Sequence, residues 1–274
     1  MIAENALEIA LSTDPGVIRS HNEDAVFVDA RLGLAILADG MGGYNAGEVA
    51  SGMATTRLAN DLGRLIASSS LQDHVQGHDA ATIERHILNE VSAANFAIFH
   101  AAQSSPQYAG MGTTLVLAWL YDNRMSVAHV GDSRLYRLRG ESLELLTRDH
   151  SLLQEQIDSG MISPQEARYA DNRNLVTRAL GVGPTVDVEI HDFEVQRGDV
   201  ILLCSDGLND MVDDEEIAIA LRTLNGNLQL AADHLVHMAN DYGGRDNVSV
   251  ILIKVLADFA APRGWWQRLQ QLLK

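Results

Sequence analysis

Aspartate recurs at the ends of apolar runs in this chain, next to glycine or shortly after it, and no other feature restricts its folding as much. The run Leu34–Ala38 ends in Asp39-Gly40-Met41-Gly42-Gly43. The run VILLC leads through Ser205 into Asp206-Gly207, Gly131-Asp132 separates two strand-like runs, and Gly243-Gly244-Arg245-Asp246 opens the last one. Carboxylates gathered at strand mouths are costly unless paired or metal-bound. If these strands lie in adjoining sheets, the four Asp and Glu23 converge on one rim. The glycines remove side chains, so backbone carbonyls and amides can approach a ligand closely. Carboxylates with no His or Cys beside them point away from zinc and toward oxygen-preferring ions such as magnesium or manganese. Taken singly, each pattern also fits a plain turn, and Asp-Ser after Gly at 131–133 is a hairpin signal.

At 274 residues, 46% hydrophobic and 21% charged, the chain has the size and composition to bury a core. No repeat or Pro/Gly-rich linker divides it, so one domain over 1–258 with a tail over 259–274 is expected. The formal charge of −17 argues against nucleic acid, which needs a basic surface. The opening MIAENALEIALSTD carries acids where a secretory signal carries Lys or Arg, and no apolar run is long enough to span a bilayer. A cytoplasmic protein is expected. The single cysteine, Cys204, sits inside an apolar run and is read as core.

Strands are expected at Glu8–Ser12, Ala25–Val28, Leu34–Ala38, Thr113–Tyr121, Arg124–Val130, Arg134–Leu138, Asp199–Cys204 and Val248–Val255. Asp122–Asn123 reads as a hairpin turn between two of them. Helical spacing runs over Ala46–Ala67, with Val49, Met53, Thr56 and Leu62 as the apolar stripe, and over Ala80–Ala102, with Ile83, Ile87, Val91, Ala94 and Ile98. Further helices are expected at Asp213–Leu224 and Leu228–Asp241. Strand groups between helix groups suggest antiparallel sheet with helices packed outside. Ser151–Thr185 reads as a small helical insertion, and 262–274, with Trp265 and Trp266, as a short amphipathic helix that docks on its own domain or frays.

One more motif belongs with the aspartates. RSHNEDA places Arg19, Asn22, Glu23 and Asp24 just before a strand, so one short segment offers a cation and paired carboxylates. The ordered set RSHNEDA, LADGMGG, MGTTL, GDSR, LTRDHS, RNLVTRALG, SDGL and GGRDN resembles the bacterial branch of the metal-dependent (PPM, type 2C) protein phosphatases, over roughly residues 8–256.

The resemblance implies an α+β fold, a four-layer αββα sandwich of two central antiparallel sheets flanked by helix pairs, with 151–185 as a flap. It implies a Ser/Thr protein phosphatase that uses two Mn or Mg ions, with a third ion in bacterial members. Asp39 would bridge the two ions and Gly40 would offer its carbonyl. Asp206 and Asp246 would hold the first ion and Glu23 the second, while Asp132 with Asp206 matches the third site. Asp24 and Asn247 would contact the ligands rather than the ions. Arg19 aligns with the phosphate-binding arginine. An acidic cleft repels phosphate unless bound cations reverse its sign, so metal and substrate binding are linked. The expected chemistry is in-line attack on phosphorus by a water bridging the two ions, with Arg19 gripping phosphate oxygens in bidentate fashion. Phosphorylated proteins, as substrates of a cognate Ser/Thr kinase, are the implied partners of a monomer.

Two positions depart from the family's pattern. Met41 stands where eukaryotic members often carry a His, and a thioether cannot donate a proton. Ala170-Asp171 stand where many bacterial relatives read His-Pro. His21 and His150 flank matched motifs and are expected to face solvent or serve structure. An alternative reading is a catalytically silent metal-binding adaptor on the same fold, although every ligand position is filled. A structural calcium protein is a further alternative, but no EF-hand spacing occurs.

Overall fold

Strands that are apolar along both faces need cover on both sides, and the fold supplies it in four layers. The computed structural model describes residues 2, 5–43, 46–67, 80–163, 166 and 175–260. One sheet has five strands in the order β1 (Leu7–Asp14), β11 (Val248–Val255), β10 (Val200–Cys204), β7 (Arg134–Arg139) and β8 (Ser142–Leu145). The other has six: β2 (Asp24–Asp29), β3 (Leu34–Met41), β5 (Leu115–Tyr121), β6 (Arg124–Val130) and β9 (Glu189–Glu194), with β4 (Gly112–Thr113) on the end of β3. All pairings are antiparallel.

The period of two along a strand sorts side chains between layers. Leu34, Ile36 and Ala38 of β3 face helices α1 (Ala46–Ala67) and α2 (Ala80–Ser104), whereas Ala35 and Leu37 face the other sheet. In the five-stranded sheet, Leu202 and Cys204 face the short helix α4 (Asp206–Asn209) and the pair α5 (Asp214–Thr223) and α6 (Leu228–Asp241), while Ile201 and Leu203 face the inter-sheet core. Burial on both faces explains why VILLC and LVLAWLY are continuously apolar. Cys204 is core as expected, and burial pushes its thiol up to about 12.

Local chemistry sets the element ends. Asp122 and Asn123 both adopt positive φ (47° and 56°), the type I′ hairpin geometry expected for that dipeptide. Asp213 and Glu216 form a reciprocal capping box at α5, and Asn227 caps α6 by accepting from the Leu230 N–H. Within the insertion, Leu152–Asp158 forms helix α3, capped by Ser151.

Four expectations need correction. The buried face of α1 is Ala46, Ala50, Ala54, Leu58 and Leu62; Val49 and Met53 only flank it and Thr56 is exposed. Alanines carry little hydrophobic signal, yet they let the helix lie close on β2 and β3. Gly131–Ser133 is no hairpin: β6 and β7 lie in different sheets, and the segment crosses between them. Thr113–Tyr121 is broken at Thr114, where the chain leaves β4 for β5. Strands β8 and β9 lack apolar runs and escaped the pattern; β9, EIHDFE, sits at a sheet edge with no residue fully buried. Phe259 is buried in the inter-sheet core, and its N–H donates to Asn123 Oδ1 at 2.7 Å. The Trp265-Trp266 segment and Ala170-Asp171 lie outside the described residues. Among the described residues, no helix is long and apolar enough to cross a membrane.

Candidate active site

The strand registers bring the sequence-expected carboxylates to one end of the sandwich. In the six-stranded sheet Asp39 pairs with Asp24, and the end of β6 meets the start of β5 through Val130 and Leu115. In the other sheet Cys204 pairs with both Val250 and Arg134, so the end of β10 and the starts of β11 and β7 coincide. Asp206 follows β10, Asp246 precedes β11, and Asp132 lies on the crossover between the sheets.

Hydrogen bonds stitch the two sheets together at this end. Ser205 Oγ donates to Asp24 Oδ2 (2.8 Å), and the Glu23 N–H donates to Asn247 Oδ1 (2.8 Å). Asn247 Nδ2 in turn donates to the carbonyls of Pro15 and His21, both at 2.9 Å, which fixes the loop before β2. Asp39 is held through its backbone: its N–H donates to Thr114 Oγ1 (2.9 Å), and its carbonyl accepts from Thr113 Oγ1 and the Thr114 N–H (both 2.8 Å). Thr114 Oγ1 reaches Ser133 Oγ at 2.7 Å, which ties Asp39 to the Asp132 loop.

Glu23 lies under the first turn of α1, where helix amides favour a carboxylate. The approach is close enough to require glycine on both sides. A Cβ on Gly40 would collide with the carbonyl oxygens of Gly47 and Glu23, and one on Gly47 would fall 2.9 Å from Glu23 Oε2. The Ser51 hydroxyl donates to the Glu23 carbonyl at 2.5 Å. Gly47 and Ser51 therefore serve Glu23 from the helix.

The cluster is short of positive charge. Burial pushes Asp24 and Asp132 up to about 6 and holds Asp39 and Asp206 well above the ordinary carboxylate range. For Asp39, repulsion from Asp24, Asp206, Asp132 and Asp246 adds to burial; for Asp206, repulsion comes from Asp132, Asp210, Asp246 and Asp24. Glu23 is raised by burial and lowered in part by Arg19. Two oxygens of the cluster, Asp24 Oδ1 and Asp206 Oδ1, are buried without a hydrogen-bond partner. An anionic, all-oxygen set with orphaned oxygens fits hard divalent cations.

Arg19 stands at the edge of the cluster, half exposed, with Nη2 2.7 Å from Asp246 Oδ2. Met41 pairs with Gly112 beyond Gly40. Of the two flagged histidines, His21 is exposed and His150 is buried, 5% accessible. Asp210 was missed in the sequence, although it lies one helical turn after Asp206 and repels both Asp206 and Asp132. Thr114, Ser133 and Ser205 lie inside the motifs MGTTL, GDSR and SDGL, but the sequence assigned their hydroxyls no role.

The sequence pattern of the family described as Protein phosphatase 2C matches residues 19–241. The chain belongs to the protein phosphatase 2C family. The serine/threonine phosphatase stp of Listeria welshimeri is 39% identical over 245 residues, which cover 88% of this chain and 93% of that protein. Among solved structures, the serine/threonine phosphatase PstP/Ppp of Mycobacterium tuberculosis superposes with a TM-score of 0.81 at 36% identity, covering 92% of this chain and 99% of that one. The catalytic domain of PstP in complex with two manganese ions gives a TM-score of 0.79 at 36% identity, with the same coverage. The two solved structures therefore share the fold described above.

Proposed function

We propose that the chain is a protein serine/threonine phosphatase whose active site is the carboxylate cluster loaded with two Mn or Mg ions, with a third ion at Asp132. The observation that carries this reading is the crowding of Glu23, Asp24, Asp39, Asp132, Asp206 and Asp246 at one end of the sandwich, with two buried carboxylate oxygens unpartnered. The phosphatase activity named for the Listeria and Mycobacterium relatives supports the reaction class, and the two manganese ions named for PstP support the cofactor.

Asp39, the Gly40 carbonyl, Asp206, Asp246 and Glu23 would hold the two ions, and Asp132 with Asp206 the third. Bound there, the ions supply positive charge for the phosphoryl group and lower the pKa of the attacking water. Asp24 and Asn247 keep their neighbours in place: Asp24 from the strand beside Asp39, Asn247 by holding the Glu23 peptide. Arg19 exchanges its Asp246 partner for phosphate oxygens, which a planar guanidinium grips in bidentate fashion. Met41 offers no proton, so the leaving oxygen takes its proton from water. The reading extends to phosphorylated substrates of a cognate Ser/Thr kinase and to a monomer in the cytoplasm.

Hydrolysis of p-nitrophenyl phosphate and a phosphothreonine peptide, assayed with manganese, magnesium or EDTA, tests the proposal. Activity indifferent to EDTA, or kept in full by Asp206→Asn, would sink it.

A further inference from the structure

Helices α5 and α6 turn their inner faces to the five-stranded sheet, and their outer faces leave an open groove between them. The groove holds about 540 Å³ and runs from Glu216 to Leu224 on α5 and from Leu230 to Met238 on α6. Its walls are mostly apolar, and Ile219 and Leu230 remain 50% exposed in it. A surface helix ordinarily turns polar residues outward. Two half-exposed aliphatics that line one groove form a patch, where scattered ones would need no explanation.

The groove has two unlike ends. Eight residue steps on each helix give it a length of about 12 Å. At the end nearer the carboxylate cluster, the Tyr242 hydroxyl donates to Glu216 Oε1 at 2.7 Å. The first turn of α5 there is acidic throughout, with Asp214, Glu215 and Glu216 following the cap Asp213. At the other end, Leu224 and Leu230 flank the turn between the helices, and the Asn225 carbonyl in that turn accepts from Lys254 Nζ at 2.7 Å.

Lys254 also marks where the chain leaves the sheet. It pairs with Val200 at the end of the sandwich away from the carboxylates, and the Asp122–Asn123 turn lies at that same end. Phe259 is buried there between the sheets, with its N–H on Asn123 Oδ1. The open mouth of the groove and the last described residues therefore share one end of the molecule. From Phe259 to Trp265 there are six Cα steps. They reach up to about 20 Å, enough to pass a helix layer roughly 10 Å thick.

The segment 261–274 matches the groove in period, length and charge. At about 100° per residue, Trp265, Trp266, Leu269, Leu272 and Leu273 fall within a helical arc of about 120°. Trp265 to Leu273 is again eight steps, or about 12 Å of helix. The segment carries Arg263, Arg268 and Lys274 and no Asp or Glu, in a chain of formal charge −17. Entering beside Leu224 and Leu230, it brings Lys274 to the acidic first turn of α5. An apolar groove that takes anchors at this spacing is a general mode of helix recognition. The short tether holds the segment at an effective concentration on the order of mM, which favours this occupant over a second copy.

We propose that residues 261–274 dock as a helix in the α5–α6 groove of the same chain, with the tryptophan pair beside Leu230 and Lys274 toward Glu216. Docking takes Ile219 and Leu230 out of water and ties the chain beyond β11 to the outer helix layer.

Tryptophan emission from the full chain reads this directly. Trp119 is 1% exposed in the core, and the other two tryptophans are Trp265 and Trp266. The double change Ile219→Lys with Leu230→Lys removes the apolar wall and repels the basic segment, while Lys suits an exposed helical position. It is expected to raise acrylamide quenching about threefold, because the aromatic anchors lose their pocket, with an unchanged far-UV spectrum. If that protein does not fold, Leu269→Lys with Leu273→Lys must raise quenching as much. Wild-type quenching in either folded variant overturns the proposal.

Cross-linking identifies the occupant. Ile219→Cys with Leu269→Cys is expected to close a disulfide within one chain on mild oxidation, and Cys204 is buried and takes no part. Leu88→Cys with Leu269→Cys is the control, since Leu88 is 40% exposed on α2, across the sandwich, and this pair should stay reduced. A disulfide-linked dimer from the first pair would put a second copy's segment in the groove. Equal cross-linking of both pairs would mean a segment with no fixed site. Either result overturns the proposal. So does a wild-type tryptophan pair that stays open to quencher until phosphatidylglycerol vesicles are added, which would make a membrane surface its partner.

Discussion

Asp24 stands directly opposite Asp39 across the β2–β3 ladder, two carboxylates in a position where like charges repel. Their proximity is tolerable only with protons or cations between them, and this governs how the protein responds to pH and chelation.

In the metal-free protein Asp24 and Asp132 titrate at about 6, whereas unfolded aspartate titrates near ~4. Between those values the folded chain binds more protons than the unfolded one, so its stability falls as pH rises through that window. Cations displace the protons. The gap in Tm between manganese-loaded and EDTA-treated protein is therefore expected to widen as pH rises from about 5 to about 7.5. Burial lowers the pKa of His129 and His150, which act with the opposite sign, but alike in both samples, and cancel in the difference. A gap independent of pH would contradict the electrostatic account.

Asp24→Asn should stabilise the metal-free protein by roughly 1–3 kcal/mol, because it removes one of the facing charges and leaves an oxygen for Ser205. The same change should weaken manganese binding. Urea unfolding in EDTA, beside calorimetry with manganese, checks both directions.

The Arg19–Asp246 pair at 2.7 Å is half exposed, so its loss should cost little stability. Arg19→Ala is expected to raise KM about 10-fold with kcat within about threefold, and Arg19→Lys should not restore it. A change in kcat alone, at constant KM, would remove Arg19 from phosphate binding.

Gly47→Ala should displace the Glu23 carboxyl and cost about 1–3 kcal/mol, with a higher manganese concentration needed for half-maximal activity. Gly52→Ala serves as the control on the same helix, since a Cβ there meets nothing. Equal metal dependence in the two variants would argue against the close approach as a constraint on Glu23.

Met41→Ala should keep kcat within about threefold, since a thioether has no proton to give. A large fall in kcat with an unchanged far-UV spectrum would assign Met41 a role in the reaction.

Much of the fold was legible because strand and helix periods leave their mark on the order of residues. Apart from the break at Thr114, the core strands, the Asp122–Asn123 turn and the Ile83–Ile98 stripe of α2 stood in the sequence as they stand in the structure. The α1 stripe did not, because its buried face is built from alanines whose value lies in their small size. β9 was invisible because an edge strand with half-buried polar residues has no hydrophobic pattern. Within the site, the aspartates announced themselves through glycine and strand ends. Asp210 did not, since nothing in its own neighbourhood distinguishes it from a surface polar residue; Ser205 and Thr114 stood in quoted motifs, but their hydroxyl partners, Asp24 and the Asp39 N–H, are set by strand register and sheet stacking.

By itself, the sequence determined which carboxylates end which strands and which family those motifs match, because these are properties of short segments and their order. Tertiary structure decided that Gly131–Ser133 crosses between sheets and that Asp24 faces Asp39. Those relationships depend on register and sheet stacking, which join residues far apart in the chain. Local periodicity carries no information about either.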